Sequence, residues 1–394
     1  MADLAVDIAG VHFGNPVIVA SAPLTLSSRH IVKCIRAGAS GAVTKTVTYD
    51  PSQQVQPKPR MHVVNPKDAL AGKFYSLYSV DLMSEHQPEA WASQIRDARR
   101  ELGRDGVIIA SIAGRTFEEW RKLAILMEGS GADMLELNLS CPHTEGGELM
   151  GKAVSCDLDL VSQIVRAVKA SSSIPVIGKL TPQGANPLHL ARAMVSSGID
   201  ALASTARFQG LVVDVEAGRP ALWPWFGGYG GPWQVPISLG WTAHIAMERL
   251  GRPILGSGGI STWRDALSFV LVGASAIQLC TAMMVRGHGI IGEINRELRI
   301  WLEGRGLGSI KEAVGLSLRD MASLGELERR KIYRVSIDEG KCTRCGICAD
   351  RCPYLALSLG ENGIIFDSEK CDNCNFCVSL CPAGAMSLIK EERP

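Results

Sequence analysis

Eight cysteines in two runs make the strongest chemical statement in this sequence. The first run reads Cys342-Thr-Arg-Cys345-Gly-Ile-Cys348-Ala-Asp-Arg-Cys352-Pro353. The second reads Cys371-Asp-Asn-Cys374-Asn-Phe-Cys377-Val-Ser-Leu-Cys381-Pro382. Both follow C-x2-C-x2-C-x3-C-P. Three closely spaced thiolates reach three corners of one iron–sulfur cubane, and the fourth cysteine of each run ligates the other cluster. The expected ligands of one [4Fe–4S] cluster are therefore Cys342, Cys345, Cys348 and Cys381. Those of the second are Cys371, Cys374, Cys377 and Cys352. The competing reading, a pair of zinc knuckles, rarely uses this spacing followed by proline.

A second constellation is spread along the rest of the chain, at the ends of apolar, β-branched runs. In order it comprises Ala20-Ser21, Lys45-Thr46, Ser111, Asn138-Leu-Ser140-Cys141, Lys179, Ser204-Thr205, Gly258-Gly259 and Cys280-Thr281. The runs that carry it are Val17–Ala20, Ala42–Thr46, Val107–Ser111, Met134–Leu139, Val176–Leu180, Ala201–Thr205, Ile254–Ser257 and Ala276–Cys280. Any one of these residues reads blandly as a buried hydrogen-bonding group or a turn. A lysine closing an apolar strand is harder to dismiss, because an unpaired buried ammonium is costly. Lys45 and Lys179 both occupy such positions, and neither has a carboxylate close by in the sequence. A flavin ring, with its N1, O2 and O4 acceptors, accounts for them. Gly256-Ser-Gly258-Gly259-Ile260 precedes a helix start at Thr262, and such a glycine turn makes an anion pocket for a phosphate.

The elements that must position these residues alternate strand with helix. Amphipathic segments lie at Glu89–Leu102, Glu118–Ser130, Leu158–Ala170, Pro187–Ser197, Thr242–Leu250 and Trp263–Leu271. Eight parallel βαβ units over this length fit a closed (β/α)8 TIM barrel better than a doubly wound sheet. Barrel active sites sit at the C-terminal ends of the strands, where the constellation gathers, and phosphate sites often use the loops after strands seven and eight. The expected organisation is an FMN-type barrel at 1–315, a linker at 316–335 and a small α+β two-cluster domain at 336–394.

Composition bounds the rest. The chain has 394 residues and a formal net charge of +1, so no electrostatic footprint suggests nucleic acid or an anionic membrane. The N-terminus lacks the pattern of a signal peptide, and no run of about 18 apolar residues occurs. Eight of the twelve cysteines crowd behind a long cysteine-poor segment, which fits metal ligands kept reduced in a cytoplasmic setting. No G-x-G-x-x-G follows a strand, so a nicotinamide domain of the usual type is not expected.

Taken together, Asn138-Leu-Ser-Cys141-Pro-His143, Ala20-Ser-Ala22, Val43-Thr-Lys45-Thr46, Lys179-Leu-Thr-Pro182 and the Gly258-Gly259 turn resemble the signature of the dihydroorotate and dihydropyrimidine dehydrogenases, over residues 5–315. The C-terminal module resembles bacterial two-cluster ferredoxins. His143 and the fused tail are most similar to the FMN and iron–sulfur part of dihydropyrimidine dehydrogenase, a separate subunit in bacteria. The resemblance implies FMN on the C-terminal face, hydride exchange at flavin N5 and a cysteine as proton carrier. Cys141 matches that cysteine, with Asn138, His143 and Lys45 beside it in the catalytic set. The implied cofactor residues are Ala20, Ser21, Lys45, Thr46, Ser111, Asn138, Lys179, Thr205, Gly258, Gly259, Cys280 and Thr281. A thiol is mostly protonated at neutral pH yet able to give up its proton, which suits reduction of a polarised C=C bond. Cys156, in the same loop, competes for the role.

The sequence departs from the family at the substrate. The family places asparagines after the third and sixth strands. Here those positions read Ile112-Ala-Gly-Arg115 and Thr205-Ala206-Arg207. An amide matched to a pyrimidine edge is missing, whereas Arg115 and Arg207 are suited to clamp a carboxylate or phosphate. The insert from Trp223 to Trp233 is rich in aromatics and is expected to wall a substrate or to meet a partner chain. The leading expectation is an oxidoreductase acting on the C=C bond of a small cyclic or anionic substrate. Its expected partners are an FAD- and NAD(P)H-binding iron–sulfur subunit or a ferredoxin, within an oligomer. The rivals are a true dihydropyrimidine dehydrogenase subunit and a non-catalytic electron-transfer subunit.

Overall fold

The computed structural model describes residues 1–139, 154–223 and 226–390. Eight short strands, dominated by Val, Ile, Leu and Ala, form its centre: β1 (Val17–Val19), β2 (Gly41–Val43), β3 (Val107–Ile112), β4 (Met134–Asn138), β5 (Val176–Lys179), β6 (Ala201–Ser204), β7 (Ile254–Ser257) and β8 (Ala276–Leu279). They close into a parallel barrel in the order β6-β7-β8-β1-β2-β3-β4-β5. Nearly every strand residue is buried, as a sheet covered on both faces requires. The fold is thus a TIM barrel, as expected.

The surrounding helices begin where short polar side chains take up the first free N–H groups. Thr116 caps α1 (Phe117–Gly129), Asp157 caps α2 (Leu158–Lys169), Asn186 caps α3 (Pro187–Ser196) and Thr262 caps α4 (Trp263–Leu271). Each turns an apolar stripe inward. In α1 that stripe is Trp120, Leu123, Ala124 and Met127, at helical spacing. The helix expected from Thr242 runs instead over Val235–Met247. Pro236 fits a first helical turn, and the nearly continuous apolar surroundings of this helix leave no polar stripe to mark its start.

One four-stranded antiparallel sheet lies outside the barrel wall. Its strands are Met61–Val64, Ser76–Ser79, Gly227–Gly230 and Phe208–Gly210, paired in that order. The first two come from the loop after β2 and the last two from the loop after β6. β2 and β6 stand opposite each other in the strand order, so the sheet spans the barrel mouth.

The chain divides into two compact units, Met1–Asp320 and Met321–Pro394. The stretch 316–335, read as a linker, is split between them. Leu316–Asp320 forms a helical turn of the first unit, with Leu318 beside Gly273, and Tyr333 opens a strand of the second. In the second unit, Tyr333–Ile337 pairs with Met386–Lys390 and Leu357–Gly360 with Gly363–Phe366. Among the described residues, its buried apolar side chains are Val335, Cys348, Ala356, Leu357, Ala385 and Met386. So small a core needs a staple such as a metal site.

Candidate active site

The C-terminal ends of the barrel strands enclose a cavity of about 1010 Å³, counting the space at its open mouth. Ala20, Ser21, Lys45, Thr46, Ser111, Asn138, Lys179, Thr205, Gly258, Gly259, Cys280 and Thr281 all line it, and so does Arg207. Cys141 and His143 lie outside the described residues. Thr46 is a hub on one wall. Its hydroxyl accepts from Asn138 Nδ2 at 2.9 Å and stands 3.3 Å from Ser21 Oγ and 3.0 Å from Ser111 Oγ.

Neither lysine is isolated, which corrects the expectation drawn from their sequence neighbours. Lys45 Nζ donates to Asp81 Oδ2 at 2.5 Å, and Lys179 Nζ donates to Glu136 Oε1 at 3.0 Å. The reason is topological. Asn138 is in register with Lys179 on the neighbouring strand, and Glu136 lies two residues earlier on the same face as Asn138. Glu136 is fully buried, and Gln278 Nε2 holds its other oxygen at 2.6 Å. A charge that deep needs such partners.

The turn after β7 has the geometry of an anion cradle. Gly258 and Gly259 have φ of 116° and 82°, where glycine is favoured. A Cβ on Gly258 would meet Ser238 Oγ at 2.4 Å, and one on Gly259 would meet the Gly231 carbonyl oxygen at 2.4 Å. Among the described residues, the N–H groups of Gly259 and Ile260 have no acceptor. They lie just before the N-terminus of α4, whose dipole favours an anion. Buried Gln278 Oε1 and Gln234 Oε1, both in residues of the cavity wall, also have no partner among the described residues. Free donors at a glycine turn, cations and unpaired acceptors together fit a phosphate-bearing flavin.

The two arginines part company. Arg115 does not line the cavity. Its guanidinium pairs with Glu119 at 3.0 Å and stands 4.0 Å from Asp50, and its backbone N–H donates to the same Glu119 carboxylate at 2.7 Å. Glu119 lies in the first turn of α1, so these contacts tie Arg115 to a helix start. Arg207 faces the cavity and donates from Nη1 to Ser79 Oγ at 2.5 Å. Its guanidinium lies against the glycine strand 227–230: a Cβ on Gly228 would come within 2.7 Å of Cζ. Among the described residues, no ring of the aromatic insert lines the cavity. Trp233 packs against Phe208 and Tyr229, each at 5.4 Å between centroids, while the backbone of Gly230 and Gly231 lines the cavity wall. Burial raises the Cys280 thiol pKa, opposed by the cations of Arg207, Lys179 and Lys45.

In the second unit, Cys342, Cys345, Cys348 and Cys381 line one cavity of about 320 Å³. Cys352, Cys371, Cys374 and Cys377 line another of about 360 Å³. Backbone N–H groups of Ala356, Asn373 and Ala385 donate to the sulfurs of Cys352, Cys371 and Cys381 at 3.4, 3.4 and 3.2 Å. Two four-sulfur cages with N–H donors behind them fit two cubanes.

Four polar residues of the barrel cavity escape sequence reasoning: Asp81, Glu136, Gln234 and Gln278. Glu136 had a signal, a lone carboxylate inside an apolar strand. Asp81 and Gln234 come from long connections without periodicity.

Barrel, cavity and cysteine module define a flavin- and iron–sulfur-dependent oxidoreductase. The dihydroorotate dehydrogenase family matches residues 3–302, and the 4Fe-4S binding domain matches residues 335–358 and 364–387. The chain belongs to the dihydroorotate dehydrogenase family, with FMN and two [4Fe–4S] clusters as cofactors, and acts on CH–CH bonds. It is 35% identical over 316 residues to the catalytic subunit of dihydroorotate dehydrogenase B (NAD(+)) of Pyrococcus abyssi, covering 80% of this chain and 99% of that one. It is 30% identical over 357 residues to the NAD-dependent dihydropyrimidine dehydrogenase subunit PreA of Escherichia coli, covering 89% and 85%. Among the described residues no helix is long and apolar enough to cross a membrane.

Proposed function

We propose that this chain reduces, or in reverse forms, a C=C bond in a small planar substrate that carries an anionic group. The observation behind the anion is Arg207. It lines the same cavity as Lys45, Lys179 and Asn138, beside Ala206, where the family's amide is expected. A guanidinium presents a planar fork that suits a carboxylate, and alanine offers an imide edge no hydrogen bond.

FMN supplies hydride exchange with a substrate carbon. The Gly258–Ile260 turn would hold its phosphate, and Lys45 and Lys179 would be the cations available to its ring. Cys141 would give the neighbouring carbon its proton, with His143 and Asn138 in the same catalytic set. Cys342, Cys345, Cys348 and Cys381 ligate one cluster, and Cys371, Cys374, Cys377 and Cys352 the other. The C-terminal module exchanges electrons with a partner, either an FAD- and nicotinamide-binding subunit or a ferredoxin.

A second reading, reduction of uracil or thymine, is favoured by the 30% identity to the Escherichia coli dihydropyrimidine dehydrogenase subunit. Comparing kcat/KM for uracil and thymine with that for carboxylated substrates, orotate and carboxylated enones, separates the two. The first reading expects carboxylated substrates to win, and Arg207→Met to cost them about 1.5–3 kcal/mol of transition-state binding. Efficient uracil turnover that survives Arg207→Met overturns it. Cys141→Ala is expected to slow substrate reduction by roughly 100-fold or more, with flavin reduction by an artificial donor unchanged. A loss confined to Cys156→Ala moves the proton carrier to that residue.

A further inference from the structure

We infer that Asn373 sets the reduction potential of the cluster held by Cys371, Cys374, Cys377 and Cys352, through a hydrogen bond that its amide is compelled to make. Asn373 lies between Cys371 and Cys374 and takes a left-handed backbone conformation, φ 59°. The first cysteine run takes the same turn at Arg344, φ 55°. The backbone path is therefore shared, and the side chain differs. Asparagine tolerates this conformation well, and its short amide stays near the backbone that it can bond.

That amide is pinned at both ends. Its Oδ1 accepts from the backbone N–H of Tyr333 at 3.2 Å, and its Nδ2 lies 3.6 Å from Cys371 Sγ. Amide oxygen and nitrogen are assigned from their partners. Here the partner settles the matter: the Tyr333 N–H can only donate, so the oxygen faces it and the NH2 group faces the sulfur. The backbone N–H of Asn373 also donates to Cys371 Sγ, at 3.4 Å. Cys371 thus receives two N–H groups from one residue. Among the described residues, Asn373 supplies the only side-chain N–H bonded to a sulfur of the eight motif cysteines. Lys331 adds a cation on the same side, its Nζ donating to the Cys371 carbonyl at 2.7 Å.

An added electron places more negative charge on the cysteine sulfurs, and a donor aimed at one of them favours that state. Hydrogen bonds to cluster sulfurs are a recognised control of potential. Arg344 and Asp372 carry full charges nearby, but both side chains are exposed and screened by solvent. The half-buried amide acts at contact distance and without a change of net charge. The structure therefore predicts two unequal clusters, with the Asn373 cluster the first to be reduced.

The test is a potentiometric titration of the full holoprotein, following both clusters by electron paramagnetic resonance. Asn373→Leu is expected to lower the higher of the two midpoints and leave the other in place. The reduced-to-oxidised ratio at fixed potential should fall roughly threefold to tenfold, tenfold being about 59 mV for one electron. Arg344→Leu should leave the higher midpoint unmoved. Both midpoints unchanged in Asn373→Leu, with about eight irons still bound, overturns the inference, as does a shift confined to the lower one. If the variant fails to assemble, the unsubstituted protein decides, after labelling its asparagine side chains with 15N. Hyperfine coupling between an asparagine amide nitrogen and the first-reduced cluster supports the assignment, and its absence refutes it.

Discussion

Lys179→Met should cost the barrel about 3 kcal/mol. The substitution keeps most of the side-chain volume and removes one charge. Left behind is Glu136, fully buried and held only by Gln278. Breaking a buried ion pair by removing one partner typically costs 3–5 kcal/mol, because the surviving charge stays desolvated. The lower end applies here, since Lys179 keeps 12% of its side chain exposed and Gln278 still donates to the carboxylate. Glu136→Gln should cost a similar amount by stranding the ammonium. The double variant, neutral at both positions, should recover about 2 kcal/mol of the summed loss. Urea unfolding followed by tryptophan fluorescence measures this in the barrel alone, because all eight tryptophans lie within residues 1–320. The coupling should persist in 1 M salt, which screens buried pairs little. Losses that simply add within about 0.5 kcal/mol would refute the idea that these two groups answer each other.

Two further outcomes follow from the geometry. Burial pushes the Cys34 thiol from 9.0 up to about 11, so the folded state holds that proton more tightly than the unfolded chain does. The resulting stability is complete below pH 9 and fades as pH rises toward 11, by about 3 kcal/mol at most. Cys34→Ala should flatten that part of the barrel's alkaline stability curve, and an equally steep decline would exclude Cys34 as its source. Gly259→Ala should weaken FMN retention at least tenfold in ultrafiltration assays, because φ 82° and a contact at 2.4 Å with the Gly231 carbonyl force the turn open. Unchanged flavin retention would move the phosphate elsewhere.

Much of this architecture was readable in the chain because it is written locally. Each barrel strand is a short, mostly apolar run, and each of Thr116, Asp157, Asn186 and Thr262 announces a helix within a few residues. The cysteine spacing is likewise a local matter. What escaped was long-range pairing. Glu136 meets Lys179 across 43 residues and Gln278 across 142, and periodicity does not reveal which strand becomes a neighbour. Arg115 and Arg207 look alike in sequence. Glu119 in the next helical turn claims the first, while the glycine strand accommodates the second. The antiparallel sheet was missed because its strands are only three or four residues long and lie within long connections, one of them, Gly227–Gly230, being mostly glycine.

That sheet has an evolutionary consequence. It stitches together two loops that begin on opposite sides of the barrel, and other ties reinforce the seam: Arg207 to Ser79, and Trp223 Nε1 to the Pro59 carbonyl at 2.8 Å. Loops on this fold usually diverge one at a time, which is why the scaffold hosts so many chemistries. Here neither loop can be exchanged alone without breaking the strand pairing with the other. The two form a single heritable cassette, so a new substrate preference would have to arise from compensated changes in both. A directed-evolution library that randomises only one of them would search mostly unfolded mouths.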